Sequence, residues 1–119
     1  MVKQNTADCV FCKIITHQIP GEILYQDDRI TAFRDINPVA PTHILIVPNY
    51  HLNSVNEVET QDEAVLGQLF TVAQSLASQE GLEEYGYRLI VNTGPHAGQV
   101  VFHLHLHLIG GRPMHYPMG

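Results

Sequence analysis

His103-Leu104-His105-Leu106-His107-Leu108-Ile109 is the stretch on which the reading of this chain turns. Polar and apolar residues alternate strictly, which is the period of an extended strand whose successive side chains point to opposite faces. Such a strand places three imidazoles on one face, neighbours about 7 Å apart, and three leucines on the other, toward a core. A single histidine in this pattern would be an ordinary solvent-facing position. Three in a row need an explanation, because buried imidazoles require partners and close neighbours lower one another's pKa. One metal ion cannot hold all three: the outer pair would stand about 13–14 Å apart, whereas zinc–nitrogen bonds measure about 2 Å. The trio therefore divides into one central reactive ring and two neighbours with other duties.

Outward from this strand, the pattern predicts a small α+β domain. Phe11–His17 reads as a short helical segment stopped by Pro20-Gly21. Ile23–Gln26 and Ile30–Arg34 read as strands joined at Asp27-Asp28, and Thr42–Val47 as a third strand closed by Pro48. Thr60-x-x-Glu63 has the form of a capping box. Behind it Val65, Leu66, Leu69, Phe70, Val72, Ala73 and Leu76 recur at helical spacing, giving one long helix that stops near Gly81. Tyr87–Asn92 reads as a strand, Thr93–Gln99 as a glycine-bearing loop, and Phe102–Ile109 as the last strand, ended by Gly110-Gly111. The expected architecture is an antiparallel sheet of about five strands with one long and one short helix. It forms a single domain over residues 1–119, with a polar N-terminal tail over 1–7 and a C-terminal tail over 110–119.

Composition excludes several function classes. The 119 residues are 45% apolar and 15% charged, a globular balance. No apolar run approaches the roughly 18 residues of a membrane span. Six basic against twelve acidic side chains give a formal charge of −6, the wrong sign for a bulk nucleic-acid or anionic-membrane surface. The polar stretch Met1–Asp8 has no hydrophobic leader, so a cytoplasmic location is expected. Eight histidines are the compositional outlier. Cys9 and Cys12 form a Cys-x-x-Cys pair, half of a tetrahedral metal site, with His17, His43, His51, His96, His103 and His115 as candidate further ligands. A thioredoxin-like redox pair is disfavoured, because no strand precedes the cysteines and no βαβ alternation follows. Two reduced, metal-free cysteines are the other reading.

The histidine stretch, taken with other blocks, resembles the histidine triad (HIT) family, in its Hint-like nucleoside phosphoramidase branch. Those blocks are Phe11-x-Lys13-Ile14-Ile15, Ile19-Pro20, Asp27-Asp28, Ala32-Phe33-x-Asp35-Ile36, Ala40-Pro41-Thr42-His43 and Gly111-Arg112-x-Met114-His115. The resemblance implies a HIT fold whose sheet extends across a homodimer, with His115-Tyr116 reaching toward the partner's site. It implies hydrolysis of purine nucleoside 5′-phosphoramidates (AMP or GMP conjugates) through a nucleotidyl-histidine, with no catalytic metal required. His105 corresponds to the nucleophile, His107 to the partner of the phosphate or leaving group, and His43 to a supporting position beside them. Asp35 is similar to a ribose ligand, Val10, Phe11, Ile14, Ile19, Phe33 and Ile36 to the apolar walls around the base, and Val101 to a further nucleotide-binding position. Asn92, Gly98 and Gln99 correspond to the phosphate surroundings, where a glycine lets backbone N–H groups come close. Against these stand plainer roles: a turn-capping Asp35, ordinary core for the apolar residues, a strand-end cap for Asn92. Zinc held by Cys9, Cys12, His51 and His103 is also implied; its loss should lower stability rather than abolish chemistry. Val100 departs from the pattern, standing where many members carry a hydroxyl that bonds the phosphate. The same superfamily offers dinucleoside polyphosphate hydrolysis or nucleotidyl transfer as alternatives. A nucleotide-binding, zinc-stabilised interaction module with little catalysis is the non-enzymatic one.

Overall fold

The computed structural model describes residues 7–115 and 117. Most of the predicted N-terminal tail (1–6), together with Tyr116, Met118 and Gly119, lies outside the described residues. Two helices and five strands follow in the order α1 (Val10–Ile15), β1 (Ile23–Gln26), β2 (Ile30–Arg34), β3 (Thr42–Pro48), α2 (Glu63–Gln79), β4 (Tyr87–Ile90) and β5 (Leu106–Gly110). All ladders are antiparallel, and the spatial order is β1-β2-β3-β5-β4.

Period two sorts the sheet into two faces. Leu104, Leu106 and Leu108 join Ile30, Ile44 and Ile46 in the main core, covered by Leu69, Val72, Ala73 and Leu76 of α2. The opposite face carries a second apolar cluster in which Phe11, Ile14 and Ile15 of α1 pack on Phe33, Leu45 and Val47. Register runs one row across this second face: Ile23–Phe33–Leu45–His107–Ile90. The triad histidines therefore share the α1 side of the sheet. At its far end α2 is tied down by Glu80, whose carboxylate takes a two-pronged bond from Arg34 (2.9 and 3.1 Å) and one from the Thr42 hydroxyl (3.2 Å).

Local chemistry shifts several predicted boundaries, the first being the short helix, which runs Val10–Ile15 rather than Phe11–His17. The last strand begins at Leu106 rather than Phe102. Its ladder with β3 starts at Ile46↔Leu106; beyond it comes Pro48, which has no N–H to offer a further rung. Strand β4 ends at Ile90, two residues short of the predicted Asn92, where the chain leaves for the 94–99 loop. The capping box is Glu59/Asp62 rather than Thr60/Glu63, and it caps a 3-10 turn (Thr60–Asp62) that leads into α2. Asp62 serves better than Glu63 because it is buried, accepting from the Glu59 N–H (2.8 Å) and the Tyr50 hydroxyl (2.7 Å) at once. Gly110 is the last residue of β5 and not the start of the C-terminal tail. Gly111 makes the exit, with φ +99° and a position where a Cβ would come 2.9 Å from Pro41.

Among the described residues, no helix is long and apolar enough to cross a membrane.

Candidate active site

The site is assembled where α1, the end of β3 and the segment entering β5 meet. His105 is buried (7% exposed), and its Nδ1 lies 2.7 Å from the His103 carbonyl. A carbonyl only accepts, so Nδ1 carries the proton and Nε2 carries the lone pair. That Nε2 makes no hydrogen bond within the described fold. Phe11 stands edge-on to His105 at 5.1 Å between ring centroids and to Phe33 at 5.3 Å, so the imidazole is braced by apolar rings.

A second chain of bonds fixes the other imidazoles. The Val39 N–H donates to His43 Nδ1 (3.2 Å), so the His43 proton sits on Nε2. That Nε2–H faces His107 Nδ1 at 2.9 Å, with the Asp35 carboxylate 3.5 Å away. His107 therefore accepts on Nδ1 and holds its own proton on Nε2, a buried atom with no partner in the fold. The His105 and His107 rings are 4.8 Å apart, so two tautomers face one space: a bare nitrogen on His105 and an N–H on His107. Asp35, His43 and His107 also lie close enough to suggest a metal site. The Val39 N–H argues against one, since it puts a proton on the very His43 nitrogen that would have to ligate.

Burial holds these rings neutral. It pushes His107 down to about 4, with charged forms of His105 and His43 adding to the effect and Asp35 opposing it. His105 and His43 are lowered for the same first reason; Asp35 opposes both, and the bond to the His103 carbonyl further counters the fall at His105. A neutral imidazole is the state a nucleophilic nitrogen requires.

A third group lies beside the first. Cys9 Sγ and Cys12 Sγ stand 3.4 and 3.5 Å from His103 Nδ1, and Cys12 Sγ is 3.5 Å from His51 Nδ1. The four ligand atoms all fall within 4.8 Å of one another. Zinc bonded to sulfur at about 2.3 Å and nitrogen at about 2.0 Å has a tetrahedral S···N edge of about 3.5 Å, which these distances match. Both rings present a lone pair: His103 Nε2–H donates to the Pro48 carbonyl (2.8 Å) and His51 Nε2–H to Asn53 Oδ1 (2.7 Å). Glu57 accepts from the Asn53 amide nitrogen (3.0 Å), so the amide oxygen faces His51. Outer acceptors that fix imidazole tautomers are characteristic of metal ligands.

Other sequence-assigned positions fall out as follows. Phe11, Ile14 and Phe33 are buried in the α1-side cluster, with Ile19 and Val101 packed against it. Ile36 stands apart, 87% exposed on the β2–β3 connection. Asp35 caps that connection, one oxygen accepting from the Asn37 N–H (2.8 Å). Asn92 is half-buried just past β4. Gly98 and Gln99 spend their N–H groups inside the loop, on the carbonyls of Pro95 and Gly94 (3.1 Å each), so these are not open phosphate donors. The Gln99 side chain is also engaged, bonded to Gly94, Asn53 and Val101 backbone. Val100 is 84% exposed. Sequence reasoning missed Val39, Pro48 and the His103 carbonyl, which act through backbone atoms and leave no residue-type signal. It also missed Arg112, whose guanidinium donates to the Val39 carbonyl. Asn53, two residues beyond His51, was visible as a polar neighbour, but its role depends on the turn that brings Glu57 back to it.

A sheet face bearing this histidine row beneath a short N-terminal helix defines the HIT class of domain. The HIT-domain family model matches residues 16–114, and the chain belongs to that family. Over 107 residues it is 56% identical to the purine nucleoside phosphoramidase of Escherichia coli (strain K12), covering 90% of each chain. It is 48% identical over 112 residues to the 14 kDa zinc-binding protein of Zea mays, covering 92% of this chain and 87% of that one. Among solved structures, the HIT family hydrolase of Legionella pneumophila Philadelphia 1 superposes with a TM-score of 0.91 at 47% identity, over 94% of this chain and 100% of that one.

Proposed function

We propose that this HIT hydrolase cleaves purine nucleoside 5′-phosphoramidates through a covalent nucleotidyl-His105. The observation that carries the reading is the pairing of tautomers: His105 with Nε2 bare and Nδ1–H held by a carbonyl, His107 with an unpartnered Nε2–H beside it. His105 Nε2 attacks the α-phosphorus, the P–N bond breaks, and the amine takes one proton as it leaves. That proton enters with the substrate. An anionic phosphate against the His107 Nε2–H raises the proton affinity of the hydrogen-bonded His43–His107 pair, which takes up one proton from solvent. His107 passes its Nε2–H to the departing nitrogen as the pair returns to neutral. Water then attacks the nucleotidyl-histidine. The nucleoside monophosphate departs, His105 recovers its lone pair, and the proton lost by the attacking water replaces the one that left with the amine. His43 keeps His107 in the donating tautomer, and Asp35 offers its outer oxygen to the sugar hydroxyls. Phe11, Ile14, Ile19, Phe33 and Val101 supply apolar surface for the nucleotide, and the 94–99 loop shapes the phosphate end.

Cys9, Cys12, His51 and His103 would hold a zinc ion that pins α1 to the segment before β5. It would take no direct part in the chemistry, since four protein ligands close the coordination. A homodimer would form along the outer edge of β4, which among the described residues pairs with β5 alone.

The test is to mix the protein with adenosine 5′-phosphoramidate, quench under mild alkaline denaturation and map the adduct by mass spectrometry. An adenylate on His105, absent in His105→Ala together with turnover, is the expected result. Turnover at the wild-type rate in His105→Ala would overturn the assignment.

A further inference from the structure

His103 belongs to both groups. Its ring closes the cysteine cluster, and its carbonyl holds the His105 proton. That carbonyl shares one planar peptide with the Leu104 N–H, which donates to Leu52 O at 2.7 Å. Leu52 follows His51, another member of the cluster. The cluster therefore grips the orienting peptide from both sides: His103 carries the C=O end, and His51 adjoins the acceptor of the N–H end. No ladder holds this peptide, because β5 begins at Leu106 and its first rung with β3 is Ile46↔Leu106. The nucleophile itself is thus outside the sheet. Phe11 adds a second arm, sitting between Cys9 and Cys12 in α1 and touching the His103 and His105 rings edge-on at 5.9 and 5.1 Å.

We propose that the Cys9–Cys12–His51–His103 cluster, when it holds its metal, is the device that orients His105, through the His103–Leu104 peptide and Phe11. Cys9, Cys12 and His51 are positioning residues for the reaction, not merely staples for the fold. The inference rests on the cluster being a metal site and on His105 being the nucleophile. Lost closure lets the peptide rotate, and small misplacements of a reacting atom typically cost on the order of 10²-fold in rate. Of the proposed substrate contacts only Phe11 lies on this path, while Ile14, Ile19, Phe33 and Asp35 do not, so KM should move less than the rate of adenylation.

The experiment compares full-length wild type before and after metal stripping with a chelator, then after one equivalent of zinc is restored. Cys12→Ser and His51→Asn are measured in parallel. Four readouts are taken: bound metal, far-ultraviolet circular dichroism, the ¹⁵N–¹H signal of the His105 Nδ1–H, and single-turnover adenylation against KM. The expected result is a folded, stripped protein that adenylates at least tenfold more slowly with KM within about twofold. Its Nδ1–H signal should be broadened or lost, and zinc should restore both in wild type. Two results would overturn the proposal: a folded, stripped protein with unchanged rate and unchanged Nδ1–H signal, or wild type that binds no zinc. The second sinks the metal reading alone. The nucleophile reading is judged separately by the adduct map, since the Nδ1–H signal reports the coupling whatever the chemistry.

Discussion

Gln99→Ala is the most direct test of how the 94–99 loop beside the site is built. The residue is 5% exposed, and its amide is fully committed. Oε1 accepts from the Gly94 N–H at 2.9 Å, and Nε2 donates to the carbonyls of Asn53 at 2.7 Å and Val101 at 3.1 Å. Truncation removes three bonds at once. A typical net bond contributes about 0.5–1.5 kcal/mol, and a buried group left unpartnered costs about 1–3 kcal/mol. With water reaching some of the abandoned groups as the loop relaxes, the expected loss is about 2–4 kcal/mol. For a domain of this length that corresponds to a fall in Tm of about 8–16 °C. Urea unfolding of both proteins should show the midpoint moving with an unchanged slope. Gln99→Glu sharpens the argument: it keeps an acceptor for Gly94 but sets a charged carboxylate against two carbonyls. At neutral pH it should be at least as damaging as the alanine, and it should recover partly in acid, where the carboxyl regains a donor. If Gln99→Ala costs less than about 0.5 kcal/mol, as an ordinary surface change would, or Gln99→Glu matches wild type at pH 7, the bracing role is wrong.

Acid sensitivity follows from His107, whose folded value near 4 lies below its ordinary 6.5 because burial disfavours the cation. Between those values the unfolded chain binds more protons, so stability is complete above about pH 6.5 and falls as pH drops toward 4. At about 1.4 kcal/mol per pH unit, this one group accounts for up to ~3 kcal/mol; urea titrations with chelator present, to remove any metal contribution, would contradict it by staying flat on acidification. Val100→Ser restores the hydroxyl expected from the family resemblance at a position 84% exposed, so stability should change by less than about 0.5 kcal/mol while kcat/KM rises several-fold; an unchanged or lower kcat/KM would show that no hydroxyl is missing there.

The histidine stretch was readable because side-chain alternation depends only on extended backbone. It says nothing about where ladder bonds begin, which is why the two-face division survives although 103–105 precede β5. Pro48 decides that boundary, and it does so from 55 residues earlier in the chain, through a missing N–H and a carbonyl that accepts from His103. Residue types also marked Cys9 and Cys12 as half of a candidate metal site but left six histidines open, and the family resemblance singled out His51 and His103, the two that lie beside the cysteines. They could not mark Val39, whose N–H chooses the His43 tautomer, because any non-proline residue there carries the same group. Gln99 shows the converse: a polar residue beside the reactive strand suggests a ligand contact, yet its burial commits the amide to three backbone groups. The Glu59/Asp62 box was missed in favour of Thr60/Glu63 because the two frames differ by one residue, and what favours the first is the Tyr50–Asp62 bond, made with a residue from outside the turn.

These backbone contacts share one consequence. Each imidazole at the site has one nitrogen committed to a fixed partner, and the opposite nitrogen inherits its chemistry from that choice. The His103 carbonyl makes His105 a lone-pair donor, and the Val39 N–H, acting through His43, makes His107 a proton donor. The Pro48 carbonyl makes His103 a lone-pair donor toward the thiols. Three histidines in one row thus acquire three different characters without any difference in residue type. Replacing Leu104 or Leu106 by another apolar residue would be felt first as packing. Moving the peptide on which His103 sits would instead change both the cysteine cluster and the orientation of His105, because one residue presents its ring to the first and its carbonyl to the second.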